Sequence, residues 1–372
     1  MNTKNYFLAM SFLVCCSVVS VKAQDNVSNI FKSGVKDLNT VANGYLKPLG
    51  NGFAAGLGTN WYNTAEVHKV FGFDLTVGAS AVITPQSDQT FDITGLTNLK
   101  PTVAGTTTAP TFAGKGSGVG LTLTQSTVVN GQTQNLQIVS FATPKGVTKY
   151  VPSPSLQFTI GLPVINDLSF RFVPKIKSSD VELSLWGVGI KHDFKRWIPG
   201  LKLLPFDAAV IAAYTHFDVK YSIPGSSQVT PDKLVSGGLT TDYAGNGSEY
   251  NTQNMHVTAK AFTAGVVVSK KLLFFTPYVG VGITKTDFDI AMAGVYPTLG
   301  DPVYVSGNPA LSSSYKMKVI NVTDPIDITD SQAMMNATIG FRLKILGVLA
   351  FHAQYVQQKY PVASVGLGVN LR

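Results

Sequence analysis

The residues able to do chemistry are few and scattered. His68, His192, His216, His256 and His352 stand far apart, with none of the short spacings that bring metal ligands together. Asp324, Asp327 and Asp330 recur every three residues, whereas a calcium loop places its carboxylates at every second position, so a solvated loop is the reading. His352 is the best available general base, but no nucleophile motif accompanies it. Gly78, Gly366 and Gly368 lie within strand-like stretches, and no helix follows them to complete a phosphate loop. The chain therefore reads as a non-enzyme without metal or cofactor.

What remains is a set of charges on alternating positions. Asp74, Arg171, Lys175, Lys177, Arg342, Lys344 and Arg372, with His352, share the polar face of their segments and are expected to line a lumen. Rings of Lys and Arg around a lumen favour anions. Lys177, Lys344 and Arg372 also stand at segment ends, where such side chains contact lipid phosphates.

The elements that must position these residues follow from composition and period. The 372 residues are 45% hydrophobic but only 13% charged, against roughly 25% charged in a soluble domain. Beyond the first 25 positions there is no apolar run of the ~20 residues that a membrane helix needs. Helical membrane proteins, disordered chains and ordinary soluble enzymes are thereby excluded. The net charge is +8, but the basic residues form no dense stripe interleaved with aromatics, so no nucleic-acid partner is expected.

Lys4, the apolar stretch from Tyr6 to Val21 and the small residue Ala23 read as a secretory signal peptide over 1–23, cleaved after Ala23. Both cysteines, Cys15 and Cys16, lie within it, so the exported chain has no disulfide or thiolate chemistry. Over 26–47, Val27, Ile30, Phe31, Val35, Leu38, Val41, Ala42, Tyr45 and Leu46 recur at helical spacing, and Pro48 with Gly50 marks the end. Residues 24–50 are thus an amphipathic helix, either packed at the periplasmic mouth or plugging a lumen.

From Phe53 the period becomes two. Leu75, Val77, Ala79 and Ala81 alternate with Asp74, Thr76, Gly78 and Ser80, and the same holds over 155–162, 168–177, 331–345, 347–358 and 360–372. One face is uniformly apolar, and the other mixes small, polar and cationic residues. That is the inverse of a soluble sandwich and the pattern of strands with lipid outside and a wet interior. The fold class is all-β, a transmembrane antiparallel β-barrel over 51–372. Its first strand is 53–62 with Trp61 at the membrane interface, and a strand at 117–128 brings the count to 12, or to 14 if 134–142 and part of 90–112 also span. Long loops at 222–251 and 291–330 and short turns at the opposite end give the usual asymmetry. Phe194 and Trp197, beside Lys195 and Arg196, are expected as interfacial anchors at a short-turn rim.

Several stretches resemble an uncharacterised Bacteroidota family of outer-membrane β-barrels of unknown function: Gly44 to Gly50, Gly52 to Leu57, Asn60 to Ala65, Gly72 to Thr76, Gly187 to Asp193, Trp197 to Gly200 and Leu204 to Asp207. The resemblance implies location and fold rather than activity. A helix ahead of a barrel is also similar in architecture to the long-chain fatty-acid transport porins. Unlike many outer-membrane barrels, this chain ends Leu371-Arg372 rather than on an aromatic residue. The expectation is a passive outer-membrane channel for small amphipathic or anionic solutes, or alternatively a docking barrel for envelope assembly or surface-protein machinery. Its expected partners are outer-membrane lipid and lipopolysaccharide, and a small hydrophobic or anionic ligand.

Overall fold

The computed structural model describes Phe31 and residues 34–129, 131–164, 166–235, 239–307 and 314–371. The expected signal peptide over 1–23, the first residues of the expected helix and Arg372 lie outside the described residues.

Ten strands close into one antiparallel barrel: β1 (Phe73–Ile83), β2 (Tyr150–Leu162), β3 (Asn166–Ser178), β4 (Val181–Asp193), β5 (Asp207–Ser222), β6 (Asn254–Ser269), β7 (Phe275–Ala293), β8 (Ile326–Ile345), β9 (Leu349–Gln357) and β10 (Val362–Leu371). Each strand pairs with its neighbours in chain order, and β1 closes the ring by pairing with both β2 and β10. Closure leaves no edge strand, the arrangement that a hydrocarbon surround requires.

The expected 12 to 14 strands are corrected to ten, for two reasons. Residues 117–128 do not enter the barrel: Gly120–Val129 and Gln132–Ala142 form a separate hairpin, joined by Leu99–Pro101. Residues 53–62 are not a strand. A single helix, α1, runs Gly34–Leu57, straight through Pro48. The proline removes one helical N–H, and one turn upstream the Tyr45 carbonyl accepts the Phe112 N–H at 3.0 Å.

The barrel is inside-out. On β1, Asp74, Thr76, Gly78 and Ser80 are buried, while Leu75 and Val77 are exposed. The exposed belt continues through Phe170, Phe172, Trp186, Val188, Ile190, Val279, Val281, Ile283, Ile339, Leu367 and Val369. On β7 it runs from Phe275 to Ile283 and on β8 from Leu343 to Ala333, about the ten residues of a tilted membrane strand.

The longest loops leave one end, while the other carries 194–206 besides its tight turns. Residues 84–149, 223–253 and 294–325 leave the long-loop end, whereas 163–165, 270–274 and 346–348 close the other. The long loops fold into a dome of small sheets, with Thr90–Asp92 on Thr108–Pro110 and Tyr315–Thr323 between Val295–Tyr304 and Thr240–Thr241.

The belt makes a direct prediction. Ile339→Arg, at mid-belt, should cost about 2–4 kcal/mol of stability in lipid, and Thr329→Arg, on the same face beyond the belt, at most about 1. Urea unfolding in vesicles, with heat-dependent gel migration as the readout of folding, measures both. Equal effects would contradict the assignment of the belt.

Candidate functional site

The lumen is the site, and α1 occupies it. A helix with side chains is about 10–12 Å across, and a barrel two strands larger than the eight-stranded, side-chain-filled class has room for one. The chain threads α1 through that space and returns to β1 by way of a strap, residues 58–72, which crosses the short-turn end. Small residues on α1 permit the fit: a Cβ on Gly50 would stand 2.5 Å from the Phe288 ring.

A helix leaves its last four carbonyls without helical partners. Arg171 on β3, 3% exposed, supplies a donor to the last of them, that of Leu57, and to the Thr59 carbonyl just beyond the helix. Its Nη1 donates to the Leu57 carbonyl at 3.1 Å, its Nη2 to Thr59 at 2.8 Å, and its Nε to Gln157 Oε1 at 3.1 Å. The Trp61 ring lies 3.9 Å from the guanidinium, a cation–π contact. The Thr215 hydroxyl also donates to the Leu57 carbonyl at 3.1 Å, and that of Thr263 to Gly58 at 2.7 Å.

The strap is tied just as closely. Asp167 is fully buried. It accepts the backbone N–H of His68 at 2.8 Å and faces His68 Nδ1 at 3.0 Å and Lys191 Nζ at 2.8 Å. Lys191 also donates to the carbonyls of Thr64 (3.3 Å) and Glu66 (3.0 Å). Asn370 Nδ2 lies 3.0 Å from Asp74 Oδ2 and 2.9 Å from His68 Nε2. Thr76 donates to Asp74, and Arg342 Nη2 is 3.9 Å from the same carboxylate. His352 Nε2 donates to Asn60 Oδ1 at 2.8 Å, and Asn60 takes the left-handed turn (φ 63°) that asparagine tolerates.

At the other end, Asp37 is buried and accepts the N–H groups of Thr97, Asn98 and Leu99 at 2.8–3.0 Å. Midway, Asp330 meets Lys47 at 3.1 Å and Asn51 at 2.9 Å. Tyr360, in the turn after β9, donates to Asp88 of the dome, and burial raises its hydroxyl pKa far above the ordinary value. Phe31 stacks on Tyr296 at 4.8 Å, and Thr298 donates to the Phe31 carbonyl at 3.2 Å.

The lumen therefore has two zones. Towards the short-turn end it is polar. Towards the long-loop end, Leu38, Val41 and Ala42 of α1 share one apolar core with Ile93, Leu99, Leu121 and Leu299 of the dome and Leu185, Phe217 and Ile290 of the wall.

Of the residues expected to line the lumen, Asp74, Arg171, Arg342 and His352 face it and are buried. Lys344 is half-buried on the inward parity at the end of β8. Lys175 and Lys177 are corrected. A bulge between Val173 and Ile176 shifts the register, so both point out of the barrel and pair with Glu182 at 2.8 and 2.7 Å. Trp61 is corrected too. It is no interfacial anchor but lies buried against Gly187 and Gly189, because its segment is the strap and not a strand. Trp197 stands 76% exposed at the short-turn rim, with Phe194 half-buried beside it. Sequence reasoning missed Asp167, Lys191, His68 and Asp37, and its solvated loop is corrected for Asp327 and Asp330, which lie on β8. Asp167 and Lys191 do fall on the inward parity of β3 and β4, which is the signal that finds them.

A family model described as a family of unknown function (DUF6588) matches residues 2–371. The chain belongs to that family. No curated protein sequence matches it. Similar solved structures include Ail, the attachment invasion locus protein of Yersinia pestis, at 8% identity and a TM-score of 0.26, covering 82% of this chain and 99% of Ail. The translocator domain of the autotransporter NalP from Neisseria meningitidis is similar at 9% identity and a TM-score of 0.25, covering 87% and 93%. The outer membrane protease OmpT from Escherichia coli is similar at 6% identity and a TM-score of 0.23, covering 83% and 100%.

Replacing Arg171 tests the helix end. Arg171→Ala takes the donor from the buried Thr59 carbonyl and leaves the Leu57 carbonyl with Thr215 alone, and should cost about 2–3 kcal/mol. Arg171→Lys should recover only part, since one ammonium lacks the planar fork that reaches Leu57 and Thr59 together. Unfolding midpoints at constant m-value read both. At the other end, Asp37→Ala should loosen 84–149 and speed its proteolysis in the folded barrel, with the strands still resistant.

Proposed function

We propose that this chain is an outer-membrane barrel that stays closed and presents its dome at the cell surface as a docking scaffold, without enzymatic activity. One observation carries the reading: α1 and the dome share a single apolar core. Opening the lumen by withdrawing the helix would strip that core of Phe31, Leu38, Val41 and Leu57, and each large side chain exposed costs about 1.5–3 kcal/mol. Docking on the dome needs no such rearrangement. The long loops are set outside on the usual asymmetry of such barrels. Export through the signal peptide over 1–23 and the Bacteroidota likeness belong to the same reading.

The polar short-turn half of the lumen, with Arg171 and Arg342, favours a second reading, a passage for small amphipathic or anionic solutes. In that case α1 is a gate. Planar-bilayer recording on the purified protein separates the two. The docking reading predicts no conductance steps from the intact chain and steps only after residues 34–57 are deleted. Regular steps from the intact chain would overturn it in favour of the passage.

A further inference from the structure

On the outer wall of β6, β7 and β8 the side-chain chemistry changes over a single row. Continuous pairing aligns Val266, Val281 and Ala337 in one outward row, then Ala264, Ile283 and Met335, then Phe262, Lys285 and Ala333. The next two rows are Lys260, Asp287 and Ser331, followed by Thr258, Asp289 and Thr329. Those six polar residues, with Phe288 and with Asp330, whose carboxylate is paired with Lys47 in the lumen, line an open depression of about 430 Å³ directly beyond the apolar belt. Across the barrel, near the long-loop end of β1, β10 and β2, the outward row is Ala81, Ala363 and Pro152. The depression is therefore a feature of one side and does not ring the barrel.

We infer that this depression holds the phosphorylated sugar headgroup of an outer-leaflet glycolipid whose acyl chains lie on the belt below. The inference rests on the outer-membrane reading above. A lipid whose chains lie along Met335 and Ile283 with its head toward the long-loop end brings that head to these rows. Lys260 in the depression and Lys285 on the row below it supply cations for phosphate. Asp287 and Asp289 are acceptors only, and they suit the hydroxyl donors of a sugar, as the hydroxyls of Thr258, Thr329 and Ser331 also do. A glycerophospholipid head offers at most one ammonium or a few hydroxyls, too few donors to meet both carboxylates together, and this argues for the sugar.

The test uses the full chain in cells whose outer leaflet carries lipopolysaccharide. A benzophenone amino acid is placed at Thr329, at Ala363 as the control across the barrel, or at Met335 as the control within the belt. The expected result is a lipopolysaccharide adduct at Thr329 in clear excess over Ala363. Lys260→Ala should lower it roughly fivefold, the worth of one lysine near a lipid surface, with the Ala363 yield unchanged. Equal yields at Thr329 and Ala363, phospholipid alone at Thr329, or no adduct there while Met335 captures lipid would overturn the headgroup site and leave the membrane reading standing. Lipid capture at none of the three positions would overturn both.

Discussion

The buried end of a helix is the constraint on which the rest of this structure depends. Water cannot reach the carbonyls of Leu57 and Thr59 inside the barrel, so the wall must supply donors. Arg171 does so with two arms of one guanidinium, steadied by Gln157 and covered by Trp61. The charge is tolerable there because three hydrogen bonds and an aromatic face replace its water. With the helix end fixed, the strap has one route to β1, across the short-turn mouth, and Asp167 and Lys191 hold it on that route.

The two zones of the lumen follow from what the helix meets. Near the short-turn end it gives way to an irregular strap, whose backbone groups need polar partners, and the wall there carries Thr, Ser, Asn, His and Arg. Near the long-loop end it meets a folded dome, and two structured bodies meet best over apolar side chains packed at interior density. Plug and dome are consequently one body, which is why a closed scaffold accounts for the arrangement better than a freely moving gate.

Much of this was legible in the sequence. The apolar alternation of β1, β3 and β8 to β10 marked the lipid face, and the opposite parity marked Asp74, Arg171, Arg342 and His352 as interior. Where the reading failed, a physical cause can be named. Phe53, Ala54, Ala55, Gly56 and Leu57 satisfy a period of two and a helical period equally, and Pro48 looked like a stop, so the end of α1 was read as a strand and Trp61 as an anchor. A bulge after Val173 inverts parity without changing composition, which misplaced Lys175 and Lys177. The hairpin over 120–142 alternates like a membrane strand, but its Thr, Gln and Ser residues leave no continuous apolar face, and that absence separates a dome strand from a barrel strand.

The central claim, that α1 lies in the lumen against the wall, is tested most directly by a cross-link, since the two cysteines of the sequence, Cys15 and Cys16, both precede the helix. A Cβ on Gly52 would stand 3.4 Å from the Val151 Cβ on β2, close to disulfide spacing. The Gly52→Cys, Val151→Cys pair should oxidise spontaneously in the envelope, resist alkylation and leave a folded barrel whose gel migration still depends on heating. Two free, readily alkylated thiols in a fully folded barrel would contradict the account.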